Sequence, residues 1–243
     1  PAIVTGKPVS LGGARGREAA TGLGCVHVLA ACLDHHPFDL AGARVAIQGY
    51  GNVGQSMAWE LTHRGAKVVA ISDVTGGLFA EAGLDIPAVW ADVACGMTLS
   101  EISHGDHISN EELISLECDV LAPAALGDVI TGANAGDVHA QVVLEAANHP
   151  VTPEGDDLLT EAGVTVIPDI LANAGGVTGS YFEWTQNIQQ FTWKEERFNS
   201  ELEDRMTTAY REVQSLSDER RVSPRRAAYT IGPPVPYTPL TLP

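Results

Sequence analysis

The stretch Arg44-Val45-Ala46-Ile47-Gln48-Gly49-Tyr50-Gly51-Asn52-Val53-Gly54 decides the fold. The apolar run at its start predicts a short buried strand over 44–48. Residues 52–64 predict a helix, which Gly65 ends. Between them lies the pattern G-x-G-x-x-G, which is weak alone but specific when it follows a buried strand and opens a helix. This order predicts a loop that binds the pyrophosphate of a dinucleotide.

Five residues of this loop are candidate cofactor contacts. Gly49 permits the tight turn, Gly51 lets the backbone approach a pyrophosphate, and Gly54 lets helix and strand pack closely. Asn52 and Val53 open the helix, whose free N–H groups and partial positive charge favour a phosphate. The alternative is a glycine-rich turn that holds no ligand.

Strands and helices alternate on both sides of this loop. The apolar segment 67–72 completes a βαβ unit, and such alternation is typical of an α/β fold with a doubly wound, mainly parallel, Rossmann-type sheet. After residue 174 the pattern becomes helical. The predicted helices cover 17–35, 52–64, 84–94, 156–162, 177–190 and 195–217, and the predicted strands cover 44–48, 67–72, 119–121, 140–144 and 164–167.

The chain is predicted to have three parts. A dinucleotide-binding domain covers 1–180, and a C-terminal helical segment covers 181–230. An irregular, proline-rich tail covers 231–243, where Gly232 and the prolines that follow it exclude a helix or a central strand.

Asp73 ends the second predicted strand, and a carboxylate there can accept hydrogen bonds from both hydroxyls of an adenosine ribose. It would repel a 2′-phosphate, which favours NAD over NADP. Ser72 and Thr75 flank it, however, and their hydroxyls could help to hold a phosphate, so NADP stays an alternative. A second alternative is that Asp73 only caps the end of its strand.

The composition indicates a cytoplasmic protein. The 31 acidic residues outnumber the 14 Lys and Arg, for a net charge of −17, and such a surface repels nucleic acid. It fits a salt-rich cytoplasm or an ordinary acidic protein equally well. No apolar run is long enough for a membrane span, and the N-terminus does not resemble a secretory signal. The four cysteines have no metal-binding or redox spacing, as expected in a reducing compartment.

The pair His104 and His107 is the strongest candidate for a metal site. No third ligand stands at a suitable spacing, and a zinc site needs at least three protein ligands. We therefore predict a polar loop there and no bound metal.

Five blocks of sequence, in matching order and spacing, resemble the glutamate dehydrogenase branch of the amino-acid dehydrogenases. The resemblance covers about residues 1–230. Leucine, phenylalanine and valine dehydrogenases share the glycine loop and the N-A-G-G-V stretch, but the continuation through Ser180 to Trp184 resembles the glutamate branch. Besides the glycine loop, the blocks are Arg17-Glu18-Ala19-Ala20-Thr21-Gly22, Pro123-Ala124-Ala125, Glu145-Ala146-Ala147-Asn148 and the segment 168–184.

The resemblance implies a role for further residues. Ala124 and Ala125 would line a cofactor loop, and Thr21, Asn148 and Asn173 would lie near the nicotinamide and its ribose. Arg17 would be an orienting residue nearby. Val177 and Ser180 would contact the substrate side chain, with the Ser180 hydroxyl donating to the γ-carboxylate of glutamate. For Asn173 and Ser180 the alternative is capping of the following helix.

The resemblance also implies oxidative deamination of L-glutamate to 2-oxoglutarate and ammonia by a homo-oligomer, a hexamer in the family. The family's substrate-binding lysines and its proton-transfer aspartate belong to an N-terminal domain that does not precede Pro1, so no catalytic residue is assigned. Lys7 is interpreted as a surface residue. A non-catalytic dinucleotide-binding regulatory module is the alternative, and a methyltransferase explains Asp73 but not the segment 173–184.

Overall fold

The computed structural model describes residues 2–232, and within that range seven strands form one sheet. The order across the sheet is β4-β3-β2-β1-β5-β6-β7. Five strands are parallel, while β3 and β4 add an antiparallel edge. The strands are β1 (Arg44–Gln48), β2 (Lys67–Asp73), β3 (Gly76–Phe79), β4 (Asp106–Ile108), β5 (Val120–Pro123), β6 (Val142–Leu144) and β7 (Thr165–Ile167). The predicted fold class is confirmed.

Helices cover both faces of the sheet, and four of the described helices follow the last strand in the chain. Each helix predicted from the sequence is present, with ends that differ by a few residues. The helices are α1 (Ala20–Leu33), α2 (Asn52–His63), α3 (Ile86–Ala94), α4 (Asn110–Ile114), α5 (Pro153–Glu161), α6 (Asp169–Ala172), α7 (Gly175–Gln189), α8 (Glu195–Arg220) and α9 (Pro224–Ile231). None of the described helices is long and apolar enough to cross a membrane.

The antiparallel edge was not predicted, because its strands are short and lack an apolar pattern. Strand β3 begins with two glycines, and β4 has a single apolar residue. The prediction of a polar loop around His104 and His107 is wrong for His107, which lies in β4 and pairs with Leu78. His104 lies outside the strand, with its Nε2 2.9 Å from Asp92 Oδ2. Among residues 2–232, no group of three or more potential metal ligands comes together.

The first helix begins later than predicted, at Ala20 and not at residue 17. Residues before it form turns, and the N–H of Arg17 donates to the carbonyl of Ala14. At the other end of the chain, Ala227 and Ala228 lie in α9, which falls within the predicted helical segment 181–230, although the periodicity assigned no separate helix there. Of the predicted proline-rich tail, residue 231 ends α9 and 233–243 lie outside the described residues.

The sheet separates two clusters of buried side chains. Val45 and Ile47 of β1 face one cluster, and Ala46 between them faces the other. The first cluster also contains Phe182 of α7 and Phe198 of α8. The C-terminal helices therefore share a core with the sheet.

Helices α1 and α7 touch backbone to backbone. A Cβ added to Gly24 would lie 2.9 Å from the Cα of Gly175, and one added to Gly175 would lie 2.3 Å from the carbonyl oxygen of Ala20. Such approaches exclude any side chain at either position. The contact sets the segment after Asn173 directly beside the start of α1.

Candidate functional site

The carboxyl ends of the parallel strands meet at one edge, where the chain changes direction between β1 and β5. Ligands of open α/β sheets bind at such a switch point. Backbone hydrogen bonds join the loops beyond the strand ends: Gly49 N donates to Ser72 O at 2.8 Å, Ala124 N to Gln48 O at 2.7 Å, and Ala147 N to Pro123 O at 2.9 Å. A cleft of about 530 Å³ opens beside them.

The glycine loop has the geometry of a phosphate cradle. Gly49 has φ +105°, which a residue with a side chain rarely adopts, and its Cβ would lie 2.8 Å from the Cβ of Ala125. A Cβ on Gly54 would lie 1.9 Å from the Gly49 carbonyl oxygen, whereas one on Gly51 would meet no atom within 4 Å. Two glycines thus allow close packing, and the third leaves open space for a ligand.

Helix α2 begins directly after this space. Asn52 and Val53 form its first turn, so their N–H groups lie at the positive end of the helix. The Asn52 side chain points elsewhere, since its Nδ2 donates to the carbonyl of Glu18 at 3.1 Å. Only the backbone of Asn52 is therefore placed to contact a phosphate.

Asp73 lines the same cleft at the end of β2. Its Oδ1 accepts from both the N–H and the hydroxyl of Thr75 at 2.6 Å. The strand-end capping that the sequence left open thus accounts for one carboxylate oxygen. The other oxygen has no partner among the hydrogen bonds of the described residues, so it can accept from a ribose.

The two hydroxyls that could have held a 2′-phosphate are already engaged. Ser72 is buried and donates to Asn110 Oδ1 at 2.7 Å, while Thr75 donates to Asp73. Asn110 Nδ2 in turn donates to the Asp73 carbonyl at 3.0 Å. Asn110 was not predicted as a site residue, although Ser109 and Glu112 form a capping box that marks the helix start beside it.

The second group of predicted residues lies around the loops after β6 and β7. Asn173 Nδ2 donates to Asn148 Oδ1 at 2.8 Å and lies 3.3 Å from the carbonyl of Ala147. A Cβ added to Gly176 would lie 2.6 Å from the hydroxyl oxygen of Thr21. The structure therefore brings Thr21, Asn148 and the start of α7 together.

Arg17 reaches α7 from the loop before α1. Its Nε donates to Ser180 Oγ at 3.0 Å, and the Ser180 hydroxyl lies 3.2 Å from the carbonyl of Gly176, to which it donates. Val177, one turn away, is 76% exposed. The capping alternative is wrong for Asn173 and Ser180, because α7 has Ala174 at its N-cap and no side-chain cap, and Ser180 lies inside the helix.

The interpretation of Lys7 as a surface residue is also wrong. Its side chain is only 12% exposed, and its Nζ lies 2.5 Å from Oε1 of Glu183, whose side chain is fully buried. The N–H groups of Gly6 and Lys7 donate to the same carboxylate. Burial alone raises the pKa of Glu183, but these hydrogen bonds outweigh it and hold the pKa below its ordinary value.

Fold and glycine loop together define a doubly wound domain of the dinucleotide-binding class, with a candidate ligand crevice at the switch point. The family model for glutamate/leucine/phenylalanine/valine dehydrogenases matches residues 12–233. The chain belongs to this family.

Individual relatives agree with the family assignment. The chain is 44% identical over 232 residues to an NAD-specific glutamate dehydrogenase of Staphylococcus aureus (strain COL), covering 96% of this chain and 56% of that protein. A hetero-hexameric glutamate dehydrogenase from Thermus thermophilus, in a leucine-bound form, superposes with TM-score 0.87 at 36% identity, over 93% of this chain and 53% of that one. The enzyme from Peptoniphilus asaccharolyticus gives TM-score 0.81 at 36% identity, over 94% and 54%. The chain thus spans about half the length of these relatives.

Proposed function

We propose that this chain is the cofactor-binding portion of an NAD-dependent glutamate dehydrogenase. The overall reaction is L-glutamate, NAD⁺ and water to 2-oxoglutarate, ammonium, NADH and a proton. The observation that carries the proposal is the convergence of the glycine loop, Asp73 and the Asn148–Asn173 pair on one edge of the sheet. The name of the Staphylococcus aureus relative supports both the reaction and the choice of NAD.

In this proposal the first group of residues binds the adenosine and pyrophosphate parts. Gly49, Gly51 and Gly54 shape the cradle, and the N–H groups of Asn52 and Val53 face the phosphates. Ala124 and Ala125 form the adjoining wall, because they line the same cleft and pack so closely on Gly49 that a Cβ there would lie within 2.9 Å of both.

Asp73 supplies the ribose contact in this proposal. One oxygen is fixed by Thr75 and the other can accept from the ribose. The engaged hydroxyls of Ser72 and Thr75 favour NAD, and NADP stays the alternative.

The second group holds the nicotinamide end and the substrate. The nicotinamide supplies the site that accepts hydride, and the protein's part is to place it. Thr21, Asn148 and Asn173 position the ring and its ribose. Val177 and Ser180 contact the glutamate side chain, and Arg17 orients Ser180, whose hydroxyl must turn from the Gly176 carbonyl to reach a γ-carboxylate.

Several wider properties follow as proposals from the family. The boundary between 1–180 and 181–230 lies inside α7. We therefore propose that it separates two functions and not two folding units. We propose a cytoplasmic homo-oligomer with glutamate and 2-oxoglutarate as its small-molecule partners, and no nucleic-acid partner. The hetero-hexameric assembly of the Thermus thermophilus relative supports an oligomer.

The test is activity of residues 1–243 alone. Glutamate oxidation requires a base for the ammonium proton and a group that activates water, both within hydrogen-bond reach of the substrate. Thr21, Asn148, Asn173 and Ser180 include no base near neutral pH. We expect the purified chain to bind NADH but to give no NADH absorbance with glutamate and NAD⁺, at low or molar salt.

Addition of the remaining half, taken from the part of the Staphylococcus aureus relative that lies outside the match to this chain, should restore turnover. Clear turnover by the chain alone, free of host dehydrogenase, would show that the catalytic groups are misplaced in this proposal. NADH binding with no turnover by any joined form would favour the alternative, a regulatory dinucleotide-binding module.

A further inference from the structure

Arg225 lies in the first turn of α9 and faces three carboxylates from other elements. Its Nη2 donates to Glu145 Oε1 at 2.7 Å and to Asp156 Oδ1 at 3.2 Å, and its Nη1 lies 3.6 Å from Asp169 Oδ1. Its Nε lies 3.1 Å from Asp156 Oδ2 without the geometry of a hydrogen bond. One cation thus joins the end of β6, the start of α5 and the start of α6 to the last described helix.

The carboxylates also bind each other's loops. Glu145 Oε2 accepts from the Asp169 N–H at 2.7 Å, and Asp169 Oδ2 accepts from the His149 N–H at 2.8 Å. His149 follows Asn148, and α6, which Asp169 begins, ends before Asn173. The network therefore fixes both loops whose asparagines pair at 2.8 Å.

Electrostatics make Arg225 necessary for this arrangement. Glu145 is fully buried, and burial raises the pKa of its carboxyl, an effect that the Arg225 guanidinium opposes. Without the guanidinium, Glu145 and two further carboxylates would face each other with no cation among them. A buried carboxylate that loses its partner must take up a proton or move towards water. Either change alters the hydrogen bonds that fix Asp169 and His149.

We propose that Arg225 is a positioning residue for the nicotinamide end of the cofactor site. It holds the loops of Asn148 and Asn173 in register, and it makes their geometry depend on the docking of α9. The proposal rests on the proposed function, since it takes the two asparagines as nicotinamide contacts. Among the described residues, no hydrogen bond or ion pair joins the glycine loop or Asp73 to this network, so the adenosine end should not respond.

The experiment compares two ligands in the full chain. ADP reports on the adenosine end alone, and NADH reports on both ends through its affinity and its fluorescence. In Arg225→Met we expect NADH affinity to fall about five- to tenfold, on the scale of losing one or two hydrogen bonds, while ADP affinity stays within about twofold. The blue shift and gain in NADH fluorescence on binding should also shrink. Arg226→Met is the matched control, because Arg226 is the exposed neighbour on the same helix and its substitution removes the same charge.

A second variant guards against failure to fold. Arg225→Met with Glu145→Gln removes the buried charge together with its partner, so it should fold. Asp156 and Asp169 still lose their shared cation and α9 still loses its bridge to both loops, so we expect the same selective loss of NADH affinity. Equal losses of ADP and NADH affinity would indicate a purely structural role and overturn the proposal. Unchanged NADH affinity in the folded double variant would also overturn it. A wild-type chain that binds ADP but not NADH would instead overturn the proposed function.

Discussion

The two ends of the candidate cofactor site are built in different ways. At the adenosine end, the glycine loop and the wall of Ala124 and Ala125 are fixed by backbone atoms in close contact. At the nicotinamide end, α7 also has a backbone contact with α1, but the loops and the two ends of the chain are joined to it by side chains, including the ion pairs of Arg225 and Lys7. The first arrangement depends on the absence of side-chain volume. The second depends in addition on charge, so it should respond to pH and to distant substitutions.

The largest effect should come from filling the glycine contact. Gly54→Ala places a methyl group 1.9 Å from the Gly49 carbonyl oxygen, so the loop must move. We expect the free energy of unfolding to fall by about 1–3 kcal/mol, as for overpacked cores. Binding of both ADP and NADH should be lost. Chemical denaturation and calorimetric titration measure the two effects.

Gly51→Ala is the control, because its methyl group meets no atom within 4 Å. Its stability should stay within about 0.5 kcal/mol of wild type, as for other harmless surface changes. Its affinity should still fall, since the methyl group occupies the phosphate space. Tight ADP binding by Gly54→Ala would contradict the backbone-based description of this end.

An intermediate effect should come from Asp73→Ala, which removes a ligand without moving the loop. The free energy of NADH binding should weaken by about 1–3 kcal/mol, the scale of hydrogen bonds to a charged group. NADPH affinity should fall less or improve, because a negative charge near its 2′-phosphate is lost. Parallel titrations with both cofactors measure the difference. Asp106→Ala, an exposed aspartate on β4, is the control, and unchanged NADH affinity in Asp73→Ala would leave Asp73 with its capping role alone.

The smallest effect should appear at the nicotinamide end, as a pH dependence of the stability of the fold. The pKa of Glu183 is held below its ordinary value, so the pair with Lys7 stabilises the fold above that value and loses this contribution as the pH falls through the lowered pKa. Lys7→Gln should therefore move the midpoint of acid unfolding to higher pH, by about half a unit to one unit. Tryptophan fluorescence during acid titration measures it.

Lys67→Gln is the control, since Lys67 begins β2 far from α7 and has an exposed side chain. Its acid midpoint should match that of wild type. An unshifted midpoint in Lys7→Gln would mean that Glu183 keeps its charge through the backbone N–H groups of Gly6 and Lys7 alone.

The sequence predicted the strands, glycine loop and helix that form the candidate adenosine end, because local patterns specify them. The strand, the glycines and the helix follow one another in the chain, and Asp73 follows at the next strand end. The antiparallel edge was not predicted, because the strands that contain Gly76 and His107 show no alternation of apolar and polar residues. The contact between Asn110 and Asp73 was not predicted either, because Asn110 lies in a helix of only five residues.

The nicotinamide end could be predicted only in part, and only through the family resemblance. The Asn148–Asn173 pair joins residues 25 positions apart. Arg225 meets Glu145 across 80 positions, and Lys7 meets Glu183 across 176. No local pattern records such partners, because each lone charged residue resembles an ordinary surface residue until the fold brings its counter-ion beside it.

The backbone contact between α1 and α7 has a consequence for building hybrids from related enzymes. Two helices that touch through Gly24 and Gly175 have no side chains between them with which to adjust their spacing. A hybrid should therefore take residues 20–24 and residues 175–179 from the same parent. Otherwise the two helix surfaces can clash, and no side chain between them can be changed to relieve the clash. A single junction in the exposed turn around Asp34 and His35 separates α1 from α7, so exchanging the sheet alone needs a second junction before Gly175 that returns α7 to the parent of α1.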